Sequence, residues 1–376
     1  MIDDLLLDDI SGMSALDASD MLSAVASSGA QMREAVSVID RTLLAQVSKG
    51  DQPRNIVVAG LGGSGVGGQV LRAVLGQSVP VPIVLEQSHS LPGWVGPMDV
   101  VIGVSCSGMT EETLSTTAEA GRRGARVITI GAGGSDLEKL SGSIGGAAHF
   151  AIDAKGRSPR ASLWTHATPL LMVANALGIA HIDEKEFEIA ADLMDELSVA
   201  NGPSVPLGEN PAKALALSCA GSLPMVWGTG MIGATAAGRF MAQLAENSKI
   251  PATHGELPEV GHNQIVTFDG VLAGAAPERD IFRDDDGAID RRTHLYILRD
   301  TNEHPAVEKR IGIVSKIASD RNVPVTLIQA HPGHPISRLA SLIIPTDWAS
   351  VYAGLSLGID PSQISTIIQL KAGLLS

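Results

Sequence analysis

The chain has 376 residues, of which 44% are hydrophobic and 18% charged, with a formal net charge of −14. That length and composition suit two globular domains and exclude a disordered chain. The acidity, with no basic stripe to offset it, argues against nucleic acid as a partner.

Residues 1–50 read as an N-terminal helical segment. Between Asp17 and Gln46 the apolar residues Met21, Leu22, Val25, Met32, Val36, Ile39, Leu43 and Leu44 recur at helical spacing. From Arg54 onward short apolar runs alternate with helical stretches. The runs Ile56–Ala59, Ile83–Leu85, Val100–Val104, Val127–Ile130 and Ala148–Ile152 are predicted strands, and their spacing predicts a parallel α/β sheet. The segment Asn201 to Gly208, with Pro203 and Pro206, is the predicted linker. The pattern then restarts with a strand at Leu223–Trp227, a glycine loop Gly228–Gly233 and a helix from Ala234. Further strands are predicted at Val271–Ala273, Thr293–Leu298, Val325–Ile328 and Leu342–Ile344. The echo between halves suggests a tandem duplication, with one domain at 51–200 and another at 201–376. Arg279 to Arg292 is a charged insertion, read as a solvated loop with a substrate lid as the alternative.

Two strand-to-helix junctions carry chemistry. The first is Gly60 to Gly68, a glycine loop containing Gly63 and Ser64, with a helix expected to open near Gln69. The second is Ser105-Cys106-Ser107-Gly108-Met109-Thr110, where three hydroxyls and a glycine precede a helix. Free backbone N–H groups and the positive end of a helix dipole suit an anion there, and hydroxyls add donors. Gly60 to Gly65 also fits the dinucleotide pattern G-x-G-x-x-G, and Glu86 stands about 20 residues on, where a ribose-binding acid is expected. A dinucleotide site has no need of Ser105, Ser107 and Thr110, so the pair of loops favours a phosphate over a nicotinamide. The alternative without a ligand is two tight turns with helix caps.

The second loop resembles the phosphate loop of the sugar isomerase (SIS) domains, S-x-S-G-N-T-x-E-T. With the first loop, similar to G-x-G-G-S-x-x-G-G, it resembles over most of the chain the bifunctional phosphoglucose/phosphomannose isomerases. Cys106 and Met109 depart from the tyrosine and asparagine common there. The resemblance implies two tandem SIS domains, each a parallel sheet flanked by helices in a flavodoxin-like three-layer sandwich. It also implies a hexose 6-phosphate substrate held by Gly63, Ser64, Ser105, Ser107 and Thr110.

An aldose–ketose isomerisation needs a base to move a proton between C1 and C2, a group to open the sugar ring, and a cation near the enediolate. The segment Gln243 to Asn263 resembles the region of the family that carries the first two. By that resemblance Glu246 is the base and His262 the ring-opening histidine, supplied across a homodimer interface. Pro159-Arg160-Ala161-Ser162 matches the segment whose arginine stabilises the enediolate. Gly358-Ile359-Asp360-Pro361 followed by Leu370-Lys371 matches the C-terminal segment whose lysine assists ring opening. Read from the residues alone, Glu246 and Lys371 suit solvated helix positions and His262 a turn. Glu256 and Glu259 compete with Glu246, and Arg157 with Arg160. The resemblance implies conversion of glucose 6-phosphate to fructose 6-phosphate, mannose 6-phosphate being open, without a metal or organic cofactor. A sugar-phosphate-binding protein without isomerase activity is the alternative. Cys106 and Cys219 give neither a disulfide framework nor metal-ligand spacing. The start Met1-Ile2-Asp3-Asp4 lacks the basic residues of a signal peptide and no long apolar span occurs, so a cytoplasmic protein is expected.

Overall fold

The computed structural model describes residues 2–274 and 291–374. In chain order the elements begin with α1 (Ile10–Leu16), α2 (Met21–Ala26), α3 (Ser28–Val38) and α4 (Arg41–Val47). There follow β1 (Ile56–Ala59), α5 (Gly62–Leu75), β2 (Ile83–Glu86), β3 (Val100–Ser105), α6 (Glu111–Arg122), β4 (Arg126–Ala132), α7 (Asp136–Ser143), β5 (Ala148–Ile152), α8 (Leu163–Ala176) and α9 (Glu184–Ala200). The remainder comprises α10 (Pro211–Ala220), β6 (Leu223–Thr229), α11 (Gly230–Ser248), β7 (Thr253–Leu257), β8 (Thr293–Arg299), α12 (Pro305–Ser319), β9 (Val325–Gln329), α13 (Pro335–Ser356) and α14 (Ser365–Leu374).

These elements form two compact units. One comprises Ala26–Glu196 with Gly333–Ala340; the other comprises Met1–Val25, Leu197–Pro332 and Ser341–Ser376. The first is built on a five-stranded parallel sheet in the order β2-β1-β3-β4-β5. This is the flavodoxin-like order. β1 and β3 are buried along their whole length. Both are runs of aliphatic side chains, as strands covered by helices on both faces must be. Val57, Val101 and Val127 from adjacent strands pack with Leu91, Val95 and Ala120 as one layer of core. α8 is buried from Leu163 to Ala174.

The second unit has a four-stranded parallel sheet, β7-β6-β8-β9. Trp227, Leu295 and Ile297 meet Leu257, Phe268, Ile311 and Val314 in its core, with the rings of Trp227 and Phe268 stacked at 5.9 Å. In both sheets the chain leaves the first strand to one side and returns to the other. The crevice at the carboxyl ends of β1 and β3, and of β6 and β8, is therefore a topological switch point, where α/β sheets bind ligands.

Several expected elements differ. Val271–Ala273 is a turn rather than a strand, and Val271 is 86% exposed. Leu342–Ile344 lies inside α13, fully buried. The strand beside β6 is instead Thr253–Leu257, a mostly exposed edge. The helical stretch from Asp17 to Gln46 is three helices, broken at Ser27 and at Ile39–Asp40. Residues 279–290 of the charged insertion lie outside the described residues. No helix among the described residues is long and apolar enough to cross a membrane.

Candidate active site

The glycine loop is shorter than its composition suggests. α5 opens at Gly62, well before Gln69, so Ser64 stands in its first turn. The glycines are there for close packing. A Cβ on Gly63 would lie 2.8 Å from the carbonyl carbon of Pro159 and 2.9 Å from the amide of Arg160. Only glycine lets the start of α5 approach that backbone. The carbonyl of Gly63 accepts a hydrogen bond from Nε2 of His166 at 3.0 Å, which sets the tautomer of a fully buried ring.

The second loop begins where β3 ends. Gly108, at φ +66°, closes a turn by donating its amide to the carbonyl of Ser105 at 3.0 Å. That left-handed conformation is what the glycine supplies. Thr110 caps α6, and its hydroxyl turns to Ser105 Oγ, 2.9 Å away. Ser107 Oγ accepts the amide hydrogen of Met109 at 3.3 Å. The amide of Cys106 donates to Ser64 Oγ at 3.0 Å and so fastens the two loops together. Ser64 and Ser105 are buried, while Ser107 is exposed. Of the residues that depart from the family pattern, Met109 is 68% exposed and Cys106 is buried. Burial pushes the Cys106 thiol up, against the opposing pull of Arg157.

Arg160 arrives from a 3₁₀ turn, Pro159–Ala161, and is 4% exposed. The turn is held by Gln31 Nε2, which donates to the carbonyl of Ala161 at 2.8 Å, and by Ser162 Oγ, which donates to that of Ser158 at 3.0 Å. Since Gly63 packs on this same turn, the backbones of the glycine loop and of Arg160 are in contact. Arg157, its competitor, reaches Thr165 Oγ1 at 3.4 Å. A cavity of about 790 Å³ at the ends of β4 and β5 shares Gln31 and Thr165 with this region. Gly63, Ser64, Ser105, Ser107, Thr110 and Arg160 thus come from separate segments to the switch point of one sheet. Sequence reasoning missed His166 and Gln31. His166 stands among mostly apolar residues of α8, but nothing in the sequence ties it to Gly63, and Gln31 carries no signal of its own.

The other three predicted residues belong to the unit of the second sheet, on separate elements. Glu246 is in the last turn of α11 and partly buried. The turn is anchored by Asn247, whose Nδ2 donates to Ser350 Oγ at 2.9 Å, and by close packing of α13 at Gly354. His262 ends a 3₁₀ turn, Glu259–His262, and is exposed. Lys371 is exposed on α14. Among the competitors, Glu256 is exposed on β7, and Glu259 accepts from Asn263 Nδ2 at 3.0 Å. Among the described residues no group of three His, Cys, Asp or Glu side chains is arranged to hold a metal.

Bacterial phospho-glucose isomerase C-terminal SIS domains match residues 208–374. The bifunctional phosphoglucose/phosphomannose isomerase of Caldicellulosiruptor bescii is 30% identical over 325 residues, 86% of this chain and 90% of that protein. Its counterpart in Aquifex aeolicus is 29% identical over 323 residues, 85% and 90% of the two. A D-glucosamine-6-phosphate 4-epimerase of Sulfolobus acidocaldarius is 26% identical over 223 residues, 57% of this chain and 63% of that one. Among solved structures, a hypothetical protein from Thermus thermophilus superposes with a TM-score of 0.68 at 14% identity, over 98% of this chain and 93% of that one. The C-terminal domain of glucosamine-fructose-6-phosphate aminotransferase from Francisella tularensis gives 0.60 at 15% identity, over 92% and 98%. These two likenesses concern the fold.

Proposed function

We propose a division of labour among these residues that starts from one fact: the chain belongs to the bifunctional phosphoglucose/phosphomannose isomerase family. It is a sugar-phosphate isomerase that interconverts glucose 6-phosphate and fructose 6-phosphate, and mannose 6-phosphate, through an enediolate.

In the proposed site Ser64, Ser105, Ser107 and Thr110 hold the phosphate, with the backbone of Gly63 close against it. The observation that carries this reading is the bond between Ser64 and Cys106, which joins both hydroxyl-bearing loops at the switch point beside the turn of Arg160. Ser64 uses a lone pair on Cys106 and keeps its O–H to donate to an anion. His262 and Lys371 open the sugar ring. Glu246 removes the C2 proton of the open-chain aldose and delivers a proton to C1, so no net proton is gained or lost. Arg160 stabilises the negative charge that develops on the enediolate oxygens. The chemistry is proton transfer, and it asks for no organic cofactor.

The homodimer belongs to this proposal. An exposed His262 suits a residue lent to a partner's site, because a ring-opening group needs a neighbour to act on. The division into SIS domains at 51–200 and 201–376 is proposed likewise, supported by the family match over 208–374, and so is a cytoplasmic location. A coupled assay with glucose 6-phosphate and mannose 6-phosphate tests the activity. Turnover of neither sugar by folded protein would refute it.

A further inference from the structure

The two sheets place a connection of equal length after the corresponding strand. In one unit β3 ends at Ser105 and α6 is capped by Thr110; in the other β8 ends at Arg299 and α12 is capped by His304. Each of these strands lies next to the first strand of its sheet, β1 or β6, across the switch point. Ser105–Thr110 therefore corresponds, position by position, to Arg299–His304. The second position makes the same bond in both. Cys106 N donates to Ser64 Oγ at 3.0 Å, and Asp300 N donates to Thr229 Oγ1 at 2.8 Å.

The loops differ at the fifth position. In the first it is Met109, whose side chain is exposed. In the second it is Glu303, whose side chain is 7% exposed. The Glu303 carboxylate is turned inward. It accepts from Thr229 Oγ1 at 2.7 Å, from Arg299 Nε at 3.1 Å and from the second guanidinium nitrogen at 2.6 Å. Both the acceptor and the donor capacity of Thr229 are used within the chain, in contrast to Ser64.

We infer that the loop Arg299–His304 is an anion seat closed by its own chain. The Glu303 carboxylate occupies the place between Thr229 and Arg299 that a ligand anion would take, so the protein binds one phosphate per chain, at Ser105–Thr110. This rests on the reading of Ser105–Thr110 as the phosphate loop. A tethered carboxylate has a high effective concentration at its seat, and two of its bonds are to a charged guanidinium. Free phosphate competes poorly with such an occupant. The duplicated fold thereby keeps one seat for the sugar phosphate and seals the other.

Phosphate-dependent thermal stability tests the inference. Inorganic phosphate should raise the Tm of the wild-type protein and leave that of the Ser107→Ala/Thr110→Ala variant unmoved. Adding Glu303→Ala to that pair should restore a phosphate-dependent rise, and further adding Arg299→Ala should abolish it. Glu303→Ala alone should turn over glucose 6-phosphate at the wild-type rate. If Glu303→Ala unfolds the protein, Glu303→Ser serves in its place, since it shortens the side chain out of the seat and removes the competing charge. A folded Glu303 variant in the Ser107→Ala/Thr110→Ala background that gains no response to phosphate would overturn the inference. So would a rise in the Ser107→Ala/Thr110→Ala variant that Arg299→Ala removes, because the second seat would then be open. A rise there that Arg299→Ala does not remove would refute the reading of the first loop instead.

Discussion

The hydroxyl of Ser64 and the amide of Cys106 are 3.0 Å apart, and that bond makes one site of two loops separated by a helix and two strands. It also separates the roles of the hydroxyls. Ser107 and Thr110 lie on the rim, where they are available to a ligand, whereas buried Ser64 serves the fold and the ligand together. Ser107→Ala or Thr110→Ala should raise KM for hexose 6-phosphate by roughly 1–3 kcal/mol in binding and lower Tm less than Ser64→Ala does. Ser64→Ala should raise KM and also lower Tm, because a buried amide loses its acceptor. Steady-state kinetics with thermal melts distinguish the two. Equal Tm losses in all three variants would contradict the distinction.

Gly63→Ala sets two effects in opposition. Alanine in a helix is favoured over glycine by about 1 kcal/mol. Against that, the new Cβ would lie 2.8–2.9 Å from backbone atoms of Pro159 and Arg160, which cannot swing aside as a side chain tip can. The clash should win. Gly63→Ala is expected to lower Tm and kcat/KM together by displacing the Arg160 turn. A variant more stable than wild type with full activity would show that the turn yields freely.

Much of the first unit was legible because its central strands are largely aliphatic runs buried on both faces. The second unit was less so. β7 is Thr253-His254-Gly255-Glu256-Leu257, an exposed edge whose polar residues carry no strand signal. Leu342–Ile344 has the apolar density of a strand, but it lies within a long buried helix, and short apolar runs do not discriminate between the two. The hydroxyls of the proposed phosphate loop could be read directly, because Ser105, Ser107 and Thr110 fall within six residues of sequence. The supports, His166 and Gln31, could not, because they reach the loop region only through tertiary packing. The closing role of Glu303 was hidden for the same reason: its partner Thr229 lies on another strand.

Gly354→Ala tests how Glu246 is positioned. A Cβ at Gly354 would lie 2.6 Å from the carbonyl oxygen of Asn247, the residue after the proposed base. The last turn of α11 would have to shift against α13. Displacing a base by a fraction of an ångström mainly affects the proton-transfer step, while other residues are proposed to hold the phosphate. The expected result is a fall in kcat of about 10-fold or more with KM little changed. A rise in KM at unchanged kcat would contradict it.

His294 should make stability pH-dependent. Burial holds it down to about 4, and its ring stacks on Tyr296 with centroids 4.3 Å apart. The folded state thus prefers the neutral ring, whereas the unfolded chain protonates near the ordinary value of about 6.5. The contribution is present in full above about 6.5 and is lost as pH falls toward 4, by roughly 3 kcal/mol at most. His294→Gln should flatten denaturant-derived stability over that window. An unchanged pH slope would mean that the loss arises at other groups.

The last prediction joins mechanism to assembly. Glu246→Gln keeps the size and hydrogen-bonding reach of the side chain and removes the base. It should abolish isomerisation while leaving the fold and phosphate binding intact. His262→Ala should slow turnover of ring-closed sugar more than that of the open-chain form, since its proposed work ends once the ring is open. If His262 serves the partner's site, the two inactive variants should complement when mixed. In a heterodimer, the chain with intact Glu246 receives intact His262 from the other chain, which gives one native site of two. Once subunits have exchanged, activity should rise toward a quarter of the wild-type value, because about half of the dimers are then mixed and each has one working site. Subunits that demonstrably exchange and remain inactive would place both residues in the same chain's site. An active Glu246→Gln enzyme would do more damage, because the C2 proton would then have another acceptor and the assignment of the base would fall.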